Sequence, residues 1–338
     1  MRIPRLAAPL VCLPLAACVT TVGDPGLEPD TEEPGDVGGG GGGGDDECAS
    51  VQVELTDVIP TVMFLVDRSG TMEYGFGGTS RWNAVYSTLM NEQSGVIKRL
   101  ENEVRFGLAA YTGADSIPVC PIIEQVPPAM GNHAAIAQMY GVLDPIEDTP
   151  TAPSITSTRA LLEAIPETGP KIIVLATDGE PDTCEDPDPD GQPAARAASV
   201  AAAQAAHEAG IDLYIISVGA DIAQSHLQDM ANAGVGLPVG GVENAPYYQA
   251  LNPDALVAAF EQIIGDVRSC SFAIDGRVDL GQADRGTVTL DGVELEFGTQ
   301  WQLSDESTLE LLGTACDTIM GGGDHLVEAE FTCGAVVD

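Results

Sequence analysis

Asp67, Ser69 and Thr71 stand at alternate positions in FLVDRSGTM, directly after the apolar run VMFLV. Apolar runs of this length read as strands buried on both faces, and such a strand seldom ends in an acid without a use for it. A second buried run, in KIIVLATDGE, ends the same way, in Asp178. Two carboxylates with hydroxyls beside them at strand ends make a hard-oxygen environment, suited to a divalent cation: Mg²⁺ first, with Mn²⁺ or Ca²⁺ as alternatives. Two acids balance the charge of such an ion, and serine and threonine add weak neutral donors. Mg²⁺ prefers near-octahedral oxygen coordination, so a place is left to water or to an incoming anionic oxygen, such as an Asp or Glu of a partner.

The surrounding elements must bring these residues together. Between Cys48 and about Cys270, apolar strands and amphipathic helices alternate. PTVMFLVD, EVRFGLAAYT, KIIVLATDGE and IDLYIISVG read as strands, and PIIEQV as an edge-like segment. SRWNAVYSTLMNE, NHAAIAQMYGVL, PSITSTRALLEAI, PAARAASVAAAQAAHEAG, IAQSHLQDMANAG and PDALVAAFEQIIGDVRS read as helices, the alanine-rich one stopping at Gly210. The pattern predicts an α/β fold with a mostly parallel sheet covered by helices on both faces. Ligands of such sheets bind beyond the carboxyl ends of the strands, where Asp67 and Asp178 fall. From Ser271 to Asp338 the texture changes to short strands, with Asp291-Gly292 signalling a type I′ hairpin between GTVTL and VELEF. This stretch is expected to form a small antiparallel β unit.

With the residues and their elements in place, VDRSGT resembles the DxSxS metal-binding motif of von Willebrand factor type A domains. TDGE, at Thr177–Glu180, is similar to that family's second acidic element, and DTPTAP, at Asp148–Pro153, to its threonine loop. The resemblance covers roughly Cys48 to Cys270. It implies a Rossmann-like type A fold and a metal-ion-dependent adhesion site made of Asp67, Ser69, Thr71, Thr149 and Asp178, with Thr151 as the alternative to Thr149. Thr71 departs from the usual serine but keeps the hydroxyl. The resemblance further implies non-catalytic binding of a protein or envelope ligand that offers an acidic group to the metal; the alternatives are a structural envelope protein whose metal only stabilises the fold and, after it, a metal-dependent hydrolase.

Other classes of function fare worse. The aspartate that phosphoryl-transfer enzymes of the DxDx[TV] type need at the second position is Ser69 here. No GxSxG or phosphate-cradling glycine loop occurs, and none of His133, His207, His226 and His325 is oriented by the sequence toward the acids. His207 and His226 read as surface residues. The formal charge of −39, with 13 basic against 52 acidic residues, leaves no basic patch for nucleic acid. Acids alternating with prolines in TCEDPDPDGQP lack the spacing of an EF-hand and read as a solvated loop.

The amino terminus is expected to direct export. MRIPR followed by LAAPLVCLPLAA has the form of a signal peptide over residues 1–17, and LAAC resembles a bacterial lipobox that would make Cys18 the lipidated amino terminus. Membrane attachment would then be through the lipid alone. Val19, which is not aspartate, favours the outer membrane or surface. Residues 18–47, acidic and with seven consecutive glycines, read as an extended tether. Setting aside Cys12 and Cys18 leaves six cysteines, an even set suited to disulfides in an oxidising compartment. Their positions suggest Cys48–Cys270 bracketing the α/β domain, Cys120–Cys184 on the ligand face and Cys316–Cys333 within the β unit.

Overall fold

The computed structural model describes residues 50–53, 55–114, 118–185, 192–267, 270–321, 325–332 and 334–337. The expected signal peptide, the lipidation site Cys18, the tether, and Cys48 and Cys333 lie outside the described residues, as does the middle of the acidic loop, 186–191.

In chain order the elements are β1 (Ser50–Val53), β2 (Leu55–Asp57), β3 (Thr61–Asp67), a 3₁₀ turn (Gly70–Glu73), the small strands β4 (Gly75–Phe76) and β5 (Thr79–Ser80), α1 (Arg81–Met90), α2 (Val96–Leu100), β6 (Arg105–Thr112) and β7 (Ile122–Ala129). There follow α3 (His133–Tyr140), α4 (Thr151–Glu163), β8 (Lys171–Thr177), α5 (Pro193–Glu208), β9 (Ile211–Val218), α6 (Gln224–Gly234), β10 (Tyr248–Ala250) and α7 (Pro253–Val267). The last part holds β11 (Ser271–Ile274), β12 (Arg277–Val278), β13 (Thr287–Leu290), β14 (Val293–Glu294), β15 (Trp301–Asp305), β16 (Thr308–Leu311), α8 (Gly313–Met320), β17 (Val327–Thr332) and β18 (Val336–Val337). Among the described residues no helix is long and apolar enough to cross a membrane.

The fold is α/β. A six-stranded sheet in the order β10-β9-β8-β3-β6-β7 is parallel throughout except for β7, which runs antiparallel at one edge. Alternate residues of each strand feed two cores. Val62, Phe64 and Val66 of β3 pack with Phe106, Val174, Trp82, Val85, Ile136 and Phe260, against α1, α3 and α7. Met63 and Leu65 pack on the other face with Leu175, Leu213, Ile155, Leu162, Ala203 and Met230, against α4, α5 and α6. Burial on both faces explains the near-continuous apolar runs, since neither face of the strand meets water. Gly210, with φ +76°, ends α5 in the left-handed conformation that glycine adopts without steric cost.

The β unit is built from both ends of the described chain. β1 pairs antiparallel with β17 in the sheet β1-β17-β13-β14, and β2 pairs antiparallel with β11 in the sheet β15-β16-β11-β2. Residues 50–57, read from sequence as the start of the α/β domain, therefore hydrogen-bond into the antiparallel sheets, and the parallel sheet begins at Thr61. Trp301, Phe331, Leu309, Val288 and Phe272 form a third core there. The hairpin turn at Asp291-Gly292 has φ of +52° and +77°, positive at both positions as a type I′ turn requires.

The cysteines pair differently from expectation in this region. Cys270 is bonded to Cys316, with Cα atoms 5.4 Å apart, which replaces both Cys48–Cys270 and Cys316–Cys333. The reason is local: Cys270 leads into β11, the Leu311 N–H at the end of the paired β16 donates to the Cys270 carbonyl at 2.9 Å, and α8, which follows β16 directly, carries Cys316. Cys120 is bonded to Cys184.

Candidate metal centre

The five residues singled out by the sequence meet at the carboxyl ends of β3 and β8. Asp67 closes β3 and is fully buried. Its Oδ1 accepts the Ser69 N–H at 2.7 Å, folding the chain back in an Asx turn, and its Oδ2 accepts the Thr177 hydroxyl at 2.6 Å. The turn presents Ser69 Oγ and Thr71 Oγ1 to each other at 3.1 Å, and Thr71 Oγ1 donates to Asp178 Oδ1 at 2.8 Å.

The threonine loop is laced to this turn. The Gly70 N–H donates to the Glu147 carbonyl at 3.0 Å and the Ile146 N–H to the Arg68 carbonyl at 2.8 Å, while Gly113 and Asp148 exchange backbone bonds at 3.2 Å. Asp182 fastens the loop from the other side: its Oδ2 accepts the Thr149 N–H at 2.8 Å, and its own N–H donates to the Thr149 carbonyl at 2.9 Å. A β-carbon at Gly179 would lie 3.4 Å from Thr149 Oγ1 and 3.7 Å from Thr71 Oγ1, so both hydroxyls border one small space. Thr151 has other business, its hydroxyl lying 3.3 Å from the Tyr111 hydroxyl and from the Thr149 carbonyl.

Burial sets the electrostatics. Desolvation, with the Asp178 charge second, raises Asp67 from an ordinary 3.8 to about 7, against the opposing bonds from Thr177 and Ser69. Asp178 is likewise raised by burial, with Arg81 and Thr71 pulling the other way. Tyr111, buried beneath the pair, is pushed well above its usual range by desolvation and then by Asp67.

Several participants carry no motif. Arg81, the first residue of α1, donates from one guanidinium nitrogen to Asp178 Oδ2 at 2.6 Å and from the other to Asp221. Thr177 is the threonine of TDGE, and its position could have suggested a role; Arg81, Asp182 and Asp221 had no such signal. Glu180 of TDGE turns away from the site, accepting both Arg196 nitrogens at 2.8 Å and the Ala223 N–H at 2.7 Å, which ties the starts of α5 and α6 together. The Cys120–Cys184 bond joins the loops after β6 and β8 on this same face.

The histidines stand elsewhere. His133 is buried at the start of α3, its Nε2 2.8 Å from the Met90 carbonyl, while the preceding Asn132 bonds the Phe106 carbonyl near the amino end of β6. His226 is buried rather than on the surface, because it lies on the inner face of α6, and desolvation lowers its pKa. His207 is partly exposed and bonded to Asp212 at 2.7 Å.

No family model matches the chain. No curated protein matches it either. Among solved structures, it is similar to the pilus adhesin SpaC of Lactobacillus rhamnosus GG in an open conformation, with 17% identity and a TM-score of 0.48. That match covers 81% of this chain and 39% of SpaC, so the chain spans well under half of the adhesin's length. It is also similar to manganese-loaded TRAP of Plasmodium vivax, with 13% identity, 83% of this chain, 97% of that one and a TM-score of 0.45. BatB of Bacteroides thetaiotaomicron matches at 16% identity over 61% of this chain and 98% of its own, with a TM-score of 0.43. These similarities are remote.

The donor set fits a hard divalent cation. It consists of oxygen alone: two buried carboxylates with the hydroxyls of Ser69 and Thr71 beside them and that of Thr149 bordering the same space, both acids raised first by burial and Asp67 next by the charge of Asp178. A divalent ion between such acids relieves their repulsion and stabilises both as anions. Among the described residues no group of three His, Cys, Asp or Glu side chains is placed to hold a metal, so the hydroxyls are indispensable to any coordination here. Oxygen-only ligands disfavour softer metals such as Zn²⁺.

Proposed function

We propose that the chain is a non-catalytic binding domain whose site, Asp67, Ser69, Thr71, Thr149 and Asp178, holds a divalent cation, Mg²⁺ in the first instance, and through it an acidic group of a protein or envelope ligand. The observation that carries this reading is the gathering of the Ser69 and Thr71 hydroxyls on two buried carboxylates at the carboxyl ends of adjacent parallel strands, with the Thr149 hydroxyl bordering the same space. The type A resemblance of VDRSGT, DTPTAP and TDGE supports it from the sequence side. When bound, the ion would supply an electrophilic coordination position for an incoming carboxylate. The protein's own groups do the rest: the Asx turn fixes Ser69 and Thr71, Asp182 fixes Thr149, and Thr177 and Arg81 orient the acids. Neutral hydroxyl donors leave the ion's charge unquenched toward a ligand. The amino-terminal reading adds that the domain is exported and lipid-anchored through Cys18, at the outer membrane or cell surface.

Calorimetric titration of Mg²⁺, Mn²⁺ and Ca²⁺ into EDTA-stripped protein tests the reading, with an Asp67→Ala/Asp178→Ala double variant in parallel. The expected result is one site in the parent protein that is lost in the variant. Equal weak uptake by both would mean that the acidic surface merely gathers ions, and the binding reading would fall.

A further inference from the structure

Arg81 is the least expected member of the site. Its side chain is only 9% exposed and bridges buried Asp178 to Asp221, which is 59% exposed. The guanidinium lies in a shaped slot. Its carbon sits 5.5 Å from the centre of the Tyr74 ring, and a β-carbon at Gly219 would come within 2.8 Å of a guanidinium nitrogen, so a side chain there would displace the guanidinium. Gly219 also has φ +125°, which disfavours any other residue. Nε is buried without a hydrogen-bond partner. The group is thus held in place by charge and shape rather than by a full set of hydrogen bonds.

We propose that Arg81 is the resident cation of this site: it occupies one oxygen of Asp178 and offsets the buried acids, so that a divalent ion binds against it and more weakly than the donor set alone would allow. The inference rests on the metal reading above and adds a positioning residue that sets its affinity. The physical argument is one of counting charge. Two buried carboxylates alone form a strong anionic trap; with a fixed guanidinium bonded to one of them, a dication meets a smaller net charge and a like charge beyond Asp178. Asp221 draws the guanidinium outward and moderates its hold. The fold consequently does not depend on metal to neutralise its buried acids, and occupancy follows the concentration of the ion outside.

The test compares Mn²⁺ affinity by calorimetry and thermal unfolding with and without Mn²⁺ in the parent protein, Arg81→Met, Arg81→Lys and Asp221→Asn. Removal of the charge in Arg81→Met should tighten Mn²⁺ binding by about tenfold or more, lower the metal-free Tm, and enlarge the rise in Tm on adding Mn²⁺. Arg81→Lys keeps the charge and should stay near the parent affinity. Asp221→Asn, at an exposed position, should weaken Mn²⁺ binding by leaving the guanidinium wholly to Asp178, and the difference should persist at high salt, where through-space effects of a lost surface charge are screened. Unchanged or weaker Mn²⁺ binding in folded Arg81→Met overturns the proposal. So does an Asp221→Asn effect that vanishes in salt, should Arg81→Met not fold. If the parent binds no ion at the site but Arg81→Met does, the resident-cation inference stands while the metal-dependent function falls; if neither binds, both fall.

Discussion

Thr149 and Thr151 share one loop but face different partners, and that difference can be measured. Thr149 Oγ1 borders the space next to Thr71, so Thr149→Val should weaken divalent-ion binding severalfold or more with little loss of stability, since the backbone bonds to Asp182 remain. Thr151→Val should leave the ion affinity nearly intact and cost about 1 kcal/mol of stability through its bonds to Tyr111 and the Thr149 carbonyl. Metal titration and chemical unfolding of both variants separate the two effects. The sequence left these threonines as alternatives because both carry the same hydroxyl; only the loop's path distinguishes them. Asp67 supplies a second prediction at this scale. Raised from 3.8 to about 7, it keeps its proton in the fold where the unfolded chain has released it. The stability it contributes is full below pH about 4 and is lost as pH rises through about 7. The Tm of EDTA-treated protein should fall across that window, and Asp67→Asn should flatten the fall. Ion affinity should run the other way, rising with pH up to about 7, because the ion needs the ionised acid.

At the level of elements, the loops beyond β6 and β8 depend on each other. Cys120 and Cys184 are 64 residues apart in sequence, and closing a loop of that length stabilises a fold by about 4 kcal/mol in the chain-entropy account. Cys184 lies two residues past Asp182, which pins Thr149. A Cys120→Ser/Cys184→Ser variant should therefore lose several kcal/mol in urea unfolding and also bind the ion more weakly than the parent. Equal ion affinity in the two would show that Asp182 holds Thr149 without help from the disulfide. Elements of the parallel sheet were legible because two-sided burial writes itself as unbroken apolar runs, as in VMFLV and KIIVLA. α8 was not. GTACDTIM mixes β-branched residues with a cysteine, and its helix carries the Cys316 that is bonded to Cys270. Arg81 escaped notice for another reason. At the start of an amphipathic helix it reads as a solvated residue, and nothing local reveals that Gly219, far along the chain, leaves room for it.

For the molecule as a whole, the β unit joins the two ends of the described chain. Its sheets need β1 and β2 from residues 50–57 as well as the strands after Ser271, partners too distant in sequence for local patterning to unite them. A fragment of residues 271–338 should accordingly be unfolded by circular dichroism, lacking one strand from each of its two larger sheets, whereas a fragment of residues 58–267 should retain the six-stranded sheet. Folding of the shorter piece alone would make β1 and β2 dispensable. The same pairing has a mechanical meaning. The chain enters β3 from β2 at its amino end, and Asp67 stands at the other end, about 20 Å away at ~3.3 Å per step along the strand. β1 is bonded along its length to β17, and β2 to β11, with hydrogen bonds running perpendicular to the strands. The stretch that leads into β3 is thus fastened by two ladders before it reaches the parallel sheet, and tension directed along β1 or β2 would load several bonds together, so the β unit is a clasp on the chain that leads to Asp67.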